Sequence, residues 1–177
     1  KVASAQVKSC LLLAGLAAGR WVEVVEPGRS RDHTERLLRA MGAPVTFGPE
    51  GEGARAEIAV PDEGDALEPL DLTVPGDASS AAYLAAASLL GAGAVRLEGV
   101  GLNVTRTAYL EVLRRMGGTV ALEETGRPAG EPVGELSVEP SSLRAFEIGP
   151  GEVPRLLDEI PVLAVLAARA EGTTVIR

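Results

Sequence analysis

The sequence is short of the residues that usually announce a chemistry. It holds one cysteine (Cys10), one histidine (His33) and one tryptophan, with two phenylalanines and two tyrosines. A lone cysteine excludes an internal disulfide, and Cys10 with His33 cannot assemble a zinc site of Cys and His ligands. Metals as a class survive, because carboxylates alone bind Mg²⁺ or Ca²⁺. Lysine is nearly missing: Lys1 and Lys8 are the only two among seventeen basic residues. A Walker-type phosphate loop needs a lysine after its last glycine, and neither lysine has that setting. Side-chain amides are confined to Gln6 and Asn103. Apolar runs such as 81–95 fall short of the roughly 18 residues a membrane span needs, and small residues dilute them. No signal-peptide pattern opens the chain, so a soluble, cytoplasmic protein is expected. The net charge of −8 opposes nonspecific nucleic-acid binding while leaving room for a local basic pocket. Arginine in place of lysine, with scarce amides, matches a heat-adapted bacterial protein, a picture that GC-rich codon use gives equally.

What is present is a repeat. Ser30-Arg31-Asp32-His33-Thr34-Glu35-Arg36-Leu37-Leu38-Arg39-Ala40-Met41-Gly42 aligns without gaps on Thr105-Arg106-Thr107-Ala108-Tyr109-Leu110-Glu111-Val112-Leu113-Arg114-Arg115-Met116-Gly117, 75 residues later. Both segments read as a hydroxyl N-cap, an arginine opening a helix, and a left-handed glycine stop. Strands are expected after them at 43–47 and 119–122, and again at 57–60 and 135–138. Three Ala/Leu-rich helices precede strands: 6–18 into 21–25, 79–90 into 94–97, and 161–170 into 173–176. Their small, apolar faces suit packing beneath a sheet. The acidic stretch 61–77, with Pro69, Pro75 and Gly76, reads as a linker, a loop or a crossover. The polar stretch 123–132 reads as a mobile loop. Lys1 runs almost directly into a helix and Arg177 stops as a strand finishes, so both ends read as interior points of a longer chain.

Taken singly, the motifs point to anion binding and no further. Ser4-Ala5-Gln6 opens a helix, where free N–H groups favour an anion, although an ordinary serine cap explains Ser4 equally simply. Arg31 in a first helical turn opposes the dipole; it wants either a bound anion or a salt bridge to Asp32 or Glu35. Asp77 and Asp158 each precede an apolar helix, and capping is the simpler role for both. His33 reads as solvated, and Cys10, within Ser9-Cys10-Leu11-Leu12-Leu13, as a buried small hydrophobe.

Taken together, the motifs do more. Ala3-Ser4-Ala5-Gln6-Val7-Lys8-Ser9, Ser30-Arg31-Asp32-His33-Thr34-Glu35 and Val74-Pro75-Gly76-Asp77-Ala78-Ser79-Ser80-Ala81-Ala82 are three such blocks. Gly101-Leu102-Asn103-Val104-Thr105-Arg106-Thr107 and Leu156-Leu157-Asp158-Glu159-Ile160-Pro161-Val162-Leu163-Ala164-Val165 complete a set of five. In order and spacing they resemble the 5-enolpyruvylshikimate-3-phosphate synthase family over nearly the whole chain. The resemblance implies an α+β fold of repeated β-α-β-α-β-β units, with helices packed inside sheets, in two lobes. Residues 1–74 would be the last repeat of the first lobe. Residues 75–177 would be the first repeat of the second lobe and the start of the next.

The resemblance also implies a reaction: the carboxyvinyl group of phosphoenolpyruvate passes to the 5-hydroxyl of shikimate 3-phosphate, with no metal or organic cofactor. By position, Ser4 and Arg31 resemble residues that hold shikimate 3-phosphate, and Gln6 the glutamine that touches both substrates. Many members have serine where this chain has Ala5, so Ala5 is left with a backbone contact. Asp158 resembles the carboxylate that contacts the ring hydroxyls and accepts a proton. The family's amino-terminal Lys-Ser pair, its phosphoenolpyruvate-binding arginines and its Lys-Glu-Ser-Asp-Arg run have no match here. The chain alone is therefore expected to be inactive and, with unpartnered apolar surface, to self-associate. Two alternatives remain: the related UDP-N-acetylglucosamine enolpyruvyl transferase, which normally carries a reactive loop cysteine, and a non-catalytic binding or structural module.

Overall fold

The computed structural model describes residues 3–60 and 66–177, so residues 61–65 of the acidic stretch 61–77, expected as a linker, a loop or a crossover, lie outside the described residues. The chain divides into two compact units. The first runs to Thr73 and includes Pro128–Glu131; the second comprises Val74–Arg127 and Pro132–Arg177.

In the first unit, helix α1 (Ala5–Ala18) leads into β1 (Val22–Glu26), α2 (His33–Ala40), β2 (Val45–Glu50) and β3 (Gly53–Ile58). The sheet order is β1-β3-β2, with β3 antiparallel to both neighbours. Leu12, Leu38, Val45, Ala56 and Ile58 form its small core. The strand 57–60 expected from sequence is instead β3, four residues longer at its start. The polar run before it zips onto β2 down to the Glu50–Gly53 pair. Ladder hydrogen bonds do not depend on side-chain polarity, and hydrophobic patterning misses such a hairpin.

The second unit repeats the plan. Helix α3 (Ala78–Ala87) ends in a π-type turn at Ser88–Ala92 and is followed by β4 (Val95–Gly101), α4 (Ala108–Arg115), β5 (Thr119–Gly126) and β6 (Val133–Glu139). The order β4-β6-β5 reproduces that of the first unit. A third helix, α5 (Ile160–Ala167), lies between β7 (Glu147–Ile148) and β8 (Val175–Ile176), which pair in parallel. Ala81, Ala85, Val112, Leu113, Leu136 and Leu163 centre the core. The stretch 123–132 is shorter as a loop than expected, because β5 continues to Gly126 against β6.

Both arginine-bearing helices stop as the sequence predicts. Gly42 and Gly117 take φ of 86° and 92°. Around them Gly42 N–H bonds to Arg39 O and Ala43 N–H to Leu38 O, and Gly117 and Gly118 repeat the pattern on Arg114 and Leu113. Their starts differ from expectation. The N-cap positions are Asp32 and Thr107, neither with a side-chain cap bond, so Ser30 and Thr105 are not caps. Arg31 and Arg106 accordingly sit before the helices, where the dipole argument from the first turn does not apply.

Candidate active site

In the first unit the site begins at α1. Ser4 is the N-cap, and its hydroxyl accepts from Val7 N–H at 3.4 Å. Ala5 and Gln6 occupy the first turn, with Gln6 exposed and Ser4 Oγ donating to Gln6 Oε1 at 3.4 Å. Glu26, at the end of β1, accepts Ser4 N–H at 3.1 Å and the Ser30 hydroxyl at 2.7 and 2.8 Å. One carboxylate thus joins the start of α1 to the residue preceding Arg31. Behind it Lys8 Nζ lies 2.8 Å from both Glu26 and Glu35. Burial alone would depress the Lys8 pKa, but the two glutamates outweigh it and hold it above the ordinary lysine value. Asp32 is engaged by Arg36 through two bonds of 2.9 Å. Glu35, one of the two acids expected beside Arg31, holds Lys8. His33 is half-exposed, as expected, and its Nδ1 lies 2.7 Å from Glu131 Oε1.

In the second unit three helix starts surround Arg106. The loop that carries it is tied by Asn103, whose Oδ1 accepts Thr105 N–H at 3.0 Å and the Thr105 hydroxyl at 2.7 Å. Arg106 donates to Asp158 Oδ2 at 2.8 Å, to Asp77 Oδ1 at 3.2 Å and to Ser79 Oγ at 2.7 Å. Ser79 in turn donates to buried Glu159. Asp77 caps α3 by accepting Ser80 N–H at 2.8 Å, as its sequence position predicts. Asp158 does not cap α5: Glu159 holds that position, without a side-chain cap bond. Burial would lower the Arg106 pKa; the bonds to Asp158 and Asp77 outweigh it and raise it. The cluster presents a half-exposed carboxylate, Asp158, on a charged brace.

The EPSP synthase (3-phosphoshikimate 1-carboxyvinyltransferase) family model matches residues 1–177. The chain belongs to the EPSP synthase family. It is 51% identical to 3-phosphoshikimate 1-carboxyvinyltransferase of Synechococcus elongatus, over 99% of this chain and 38% of that protein. With the Geobacillus kaustophilus protein of the same name it shares 48%, over 99% and 40%. EPSP synthase from Acinetobacter baumannii superposes with a TM-score of 0.85 at 40% identity, covering 99% of this chain and 39% of that one. The enolpyruvyl transferase NikO from Streptomyces tendae, at 24% identity, shares the fold with a TM-score of 0.59 over 89% and 35%. The chain thus spans about two-fifths of the length of the relatives it matches.

As a member of the EPSP synthase family the chain places Ser4, Ala5 and Gln6 with the Ser30-Arg31 loop in the first unit, and Asp158 with Arg106 in the second. Cys10 corrects one expectation: it is exposed, because α1 buries only the stripe Lys8, Leu12 and Gly15. It lies in mid-helix, unlike the loop cysteine of the UDP-N-acetylglucosamine enzymes. Sequence reasoning missed Lys8, Glu26, Ser79 and Glu159, and named Glu35 only as a partner for Arg31. Lys8 carried a signal, being a lone charge in an Ala/Leu helix. Glu35 carried another, as a charge aligned on Leu110 of the repeat. Among the described residues no three His, Cys, Asp or Glu side chains are grouped to hold a metal ion.

Proposed function

We propose that the chain is the central portion of a transferase that moves the carboxyvinyl group of phosphoenolpyruvate to the 5-hydroxyl of shikimate 3-phosphate. It would act in the cytoplasm, in chorismate and aromatic amino-acid biosynthesis, and its composition fits a heat-adapted host. The reading rests above all on one observation. Ser4 and the Ser30-Arg31 loop, far apart in sequence, are tied side by side through Glu26 at an open helix N-terminus. Such a place suits a phosphate: the first-turn N–H groups of α1 favour an anion, and the adjoining loop carries the exposed cation Arg31. Gln6, exposed in that turn, is assigned the contact with both substrates.

In this mechanism the vinyl carbon of phosphoenolpyruvate takes up a proton while the 5-hydroxyl oxygen bonds to the neighbouring carbon. Asp158 accepts the hydroxyl proton, and Arg106 fixes the carboxylate. The tetrahedral intermediate then loses phosphate, and the methyl group gives back a proton to restore the double bond. The lysine and glutamate that the family uses to protonate carbon are not among these residues, so turnover belongs to the longer protein. In that full-length enzyme, Arg31→Ala should raise the KM for shikimate 3-phosphate by about tenfold or more, the loss of a charge-assisted bond or two. Asp158→Asn should lower kcat by about 10²-fold or more. Near-parental constants in both variants would sink the reading.

A further inference from the structure

Lys8, Glu26 and Glu35 form a buried ionic triad, with 2%, 5% and 1% of their surfaces exposed. Its formal charge is negative, and among the described residues Glu35 Oε2 has no hydrogen-bond partner. A buried ion group of this kind is commonly no more stable than an apolar trio of the same volume. Folding alone therefore gives no reason for it.

The second unit supplies the comparison within the same molecule. Lys8 is the fourth residue after N-cap Ser4, and Ala81 the fourth after N-cap Asp77. Glu26 pairs with Ala54, four residues before Ile58, which faces Val22; Val100 pairs with Gly134, four before Val138, which faces Val95. Glu35 aligns with Leu110 in the ungapped repeat. Ala81, Val100 and Leu110 are all buried in the second unit's core. One frame is thus packed by Ala, Val and Leu in one unit and by Lys, Glu and Glu in the other. The frame does not require the ions.

What the triad touches is the proposed phosphate subsite. Glu26 holds Ser4 N–H and the Ser30 hydroxyl; Lys8, on α1, grips both Glu26 and Glu35, which lies on α2. The three side chains join α1, the end of β1 and the start of α2, the elements that present Ser4, Gln6 and Arg31. A net negative group behind an anion site works against the anion electrostatically, so its contribution is geometric. We propose that Lys8, Glu26 and Glu35 are positioning residues that set the spacing of Ser4 and Arg31 for shikimate 3-phosphate. This rests on the reading of Ser4 and Arg31 given above.

The test uses the full-length enzyme with the second unit's own residues placed in the first: Lys8→Ala, Glu26→Val and Glu35→Leu together. The triple variant should melt at or above the parent, yet its KM for shikimate 3-phosphate should rise by about tenfold, with kcat at saturation within about twofold. A residue group that serves only the fold would move the melting temperature and leave KM alone. Glu26→Gln, nearly isosteric, guards against misfolding of the triple variant; it should raise the same KM severalfold. Parental KM in whichever variant folds overturns the proposal. Arg31→Ala, run alongside, separates the two failures. If it raises KM while the triad variants do not, positioning alone is wrong. If it too leaves KM unchanged, the reading of the subsite falls and the proposal falls with it.

Discussion

Arg106 and Asp158, 52 residues apart in sequence, share a hydrogen-bonded ion pair of 2.8 Å at the adjoining starts of α4 and α5. The same guanidinium reaches Asp77 and Ser79 at the start of α3. A planar fork spanning three partners fixes a carboxylate in a way a flexible ammonium cannot. In the full-length enzyme Arg106→Ala should lower kcat by about 10²-fold through misplacement of Asp158, with KM values less affected. Arg106→Lys should recover only part of that loss. Steady-state kinetics on both substrates measures the split.

The triad makes an unequal prediction for stability. Removing Lys8 alone leaves two glutamates buried beside each other, so Lys8→Ala should cost about 3–5 kcal/mol. The triple replacement by Ala, Val and Leu should leave stability at or above that of the parent. Urea titrations of the two variants test the difference, and equal losses would contradict it.

Asp77 predicts a pH effect at the acid end. Burial pushes its pKa up, but the Ser80 hydroxyl, the backbone N–H groups of Ser80 and Ser79, and Arg106 outweigh it and hold it below the ordinary 3.8. A carboxylate with a depressed folded pKa stabilises the fold above its unfolded value, and that contribution fades as pH falls through the folded one. Asp77→Asn should therefore be less stable than the parent at neutral pH, with the gap closing below pH 3.8. Asp77 is half-exposed, so the gap should be small and shrink in salt. Thermal melts from pH 2 to 7 follow it.

How much of this was legible in the sequence depends on how local the cause is. The stops at Gly42 and Gly117 were readable, because a positive φ is a property of one residue. The caps were misplaced because Ser30 and Thr105 are claimed by Glu26 and Asn103, partners fixed by the turn rather than by helix spacing. The early start of β3 was hidden, since its ladder to β2 runs through residues of mixed polarity. The hydroxyl-Arg motif could be found in both repeats, but not that Arg106 closes on Asp158. That closure needs α5 brought beside α4, which no local pattern encodes. Cys10 was misread because an Ala/Leu helix looks buried all round, whereas α1 buries one stripe.

That stripe leads to a prediction about association. Val7, Leu11 and Leu13 on α1 are exposed, as are Tyr83 and Leu84 on α3. Apolar patches of this kind rarely stay bare in water. These 177 residues, prepared alone, should self-associate. Sedimentation velocity over a wide concentration range should show a rising average mass; a monodisperse monomer throughout would count against it.

Ser4, Gln6 and Arg31 are proposed to form a shikimate 3-phosphate subsite within the first unit. Titration calorimetry of this chain with shikimate 3-phosphate, repeated on Arg31→Ala, tests it most directly. Weak, saturable binding that is lost in the variant is the expected result. No saturable heat from a folded chain, or equal binding by both proteins, would contradict it.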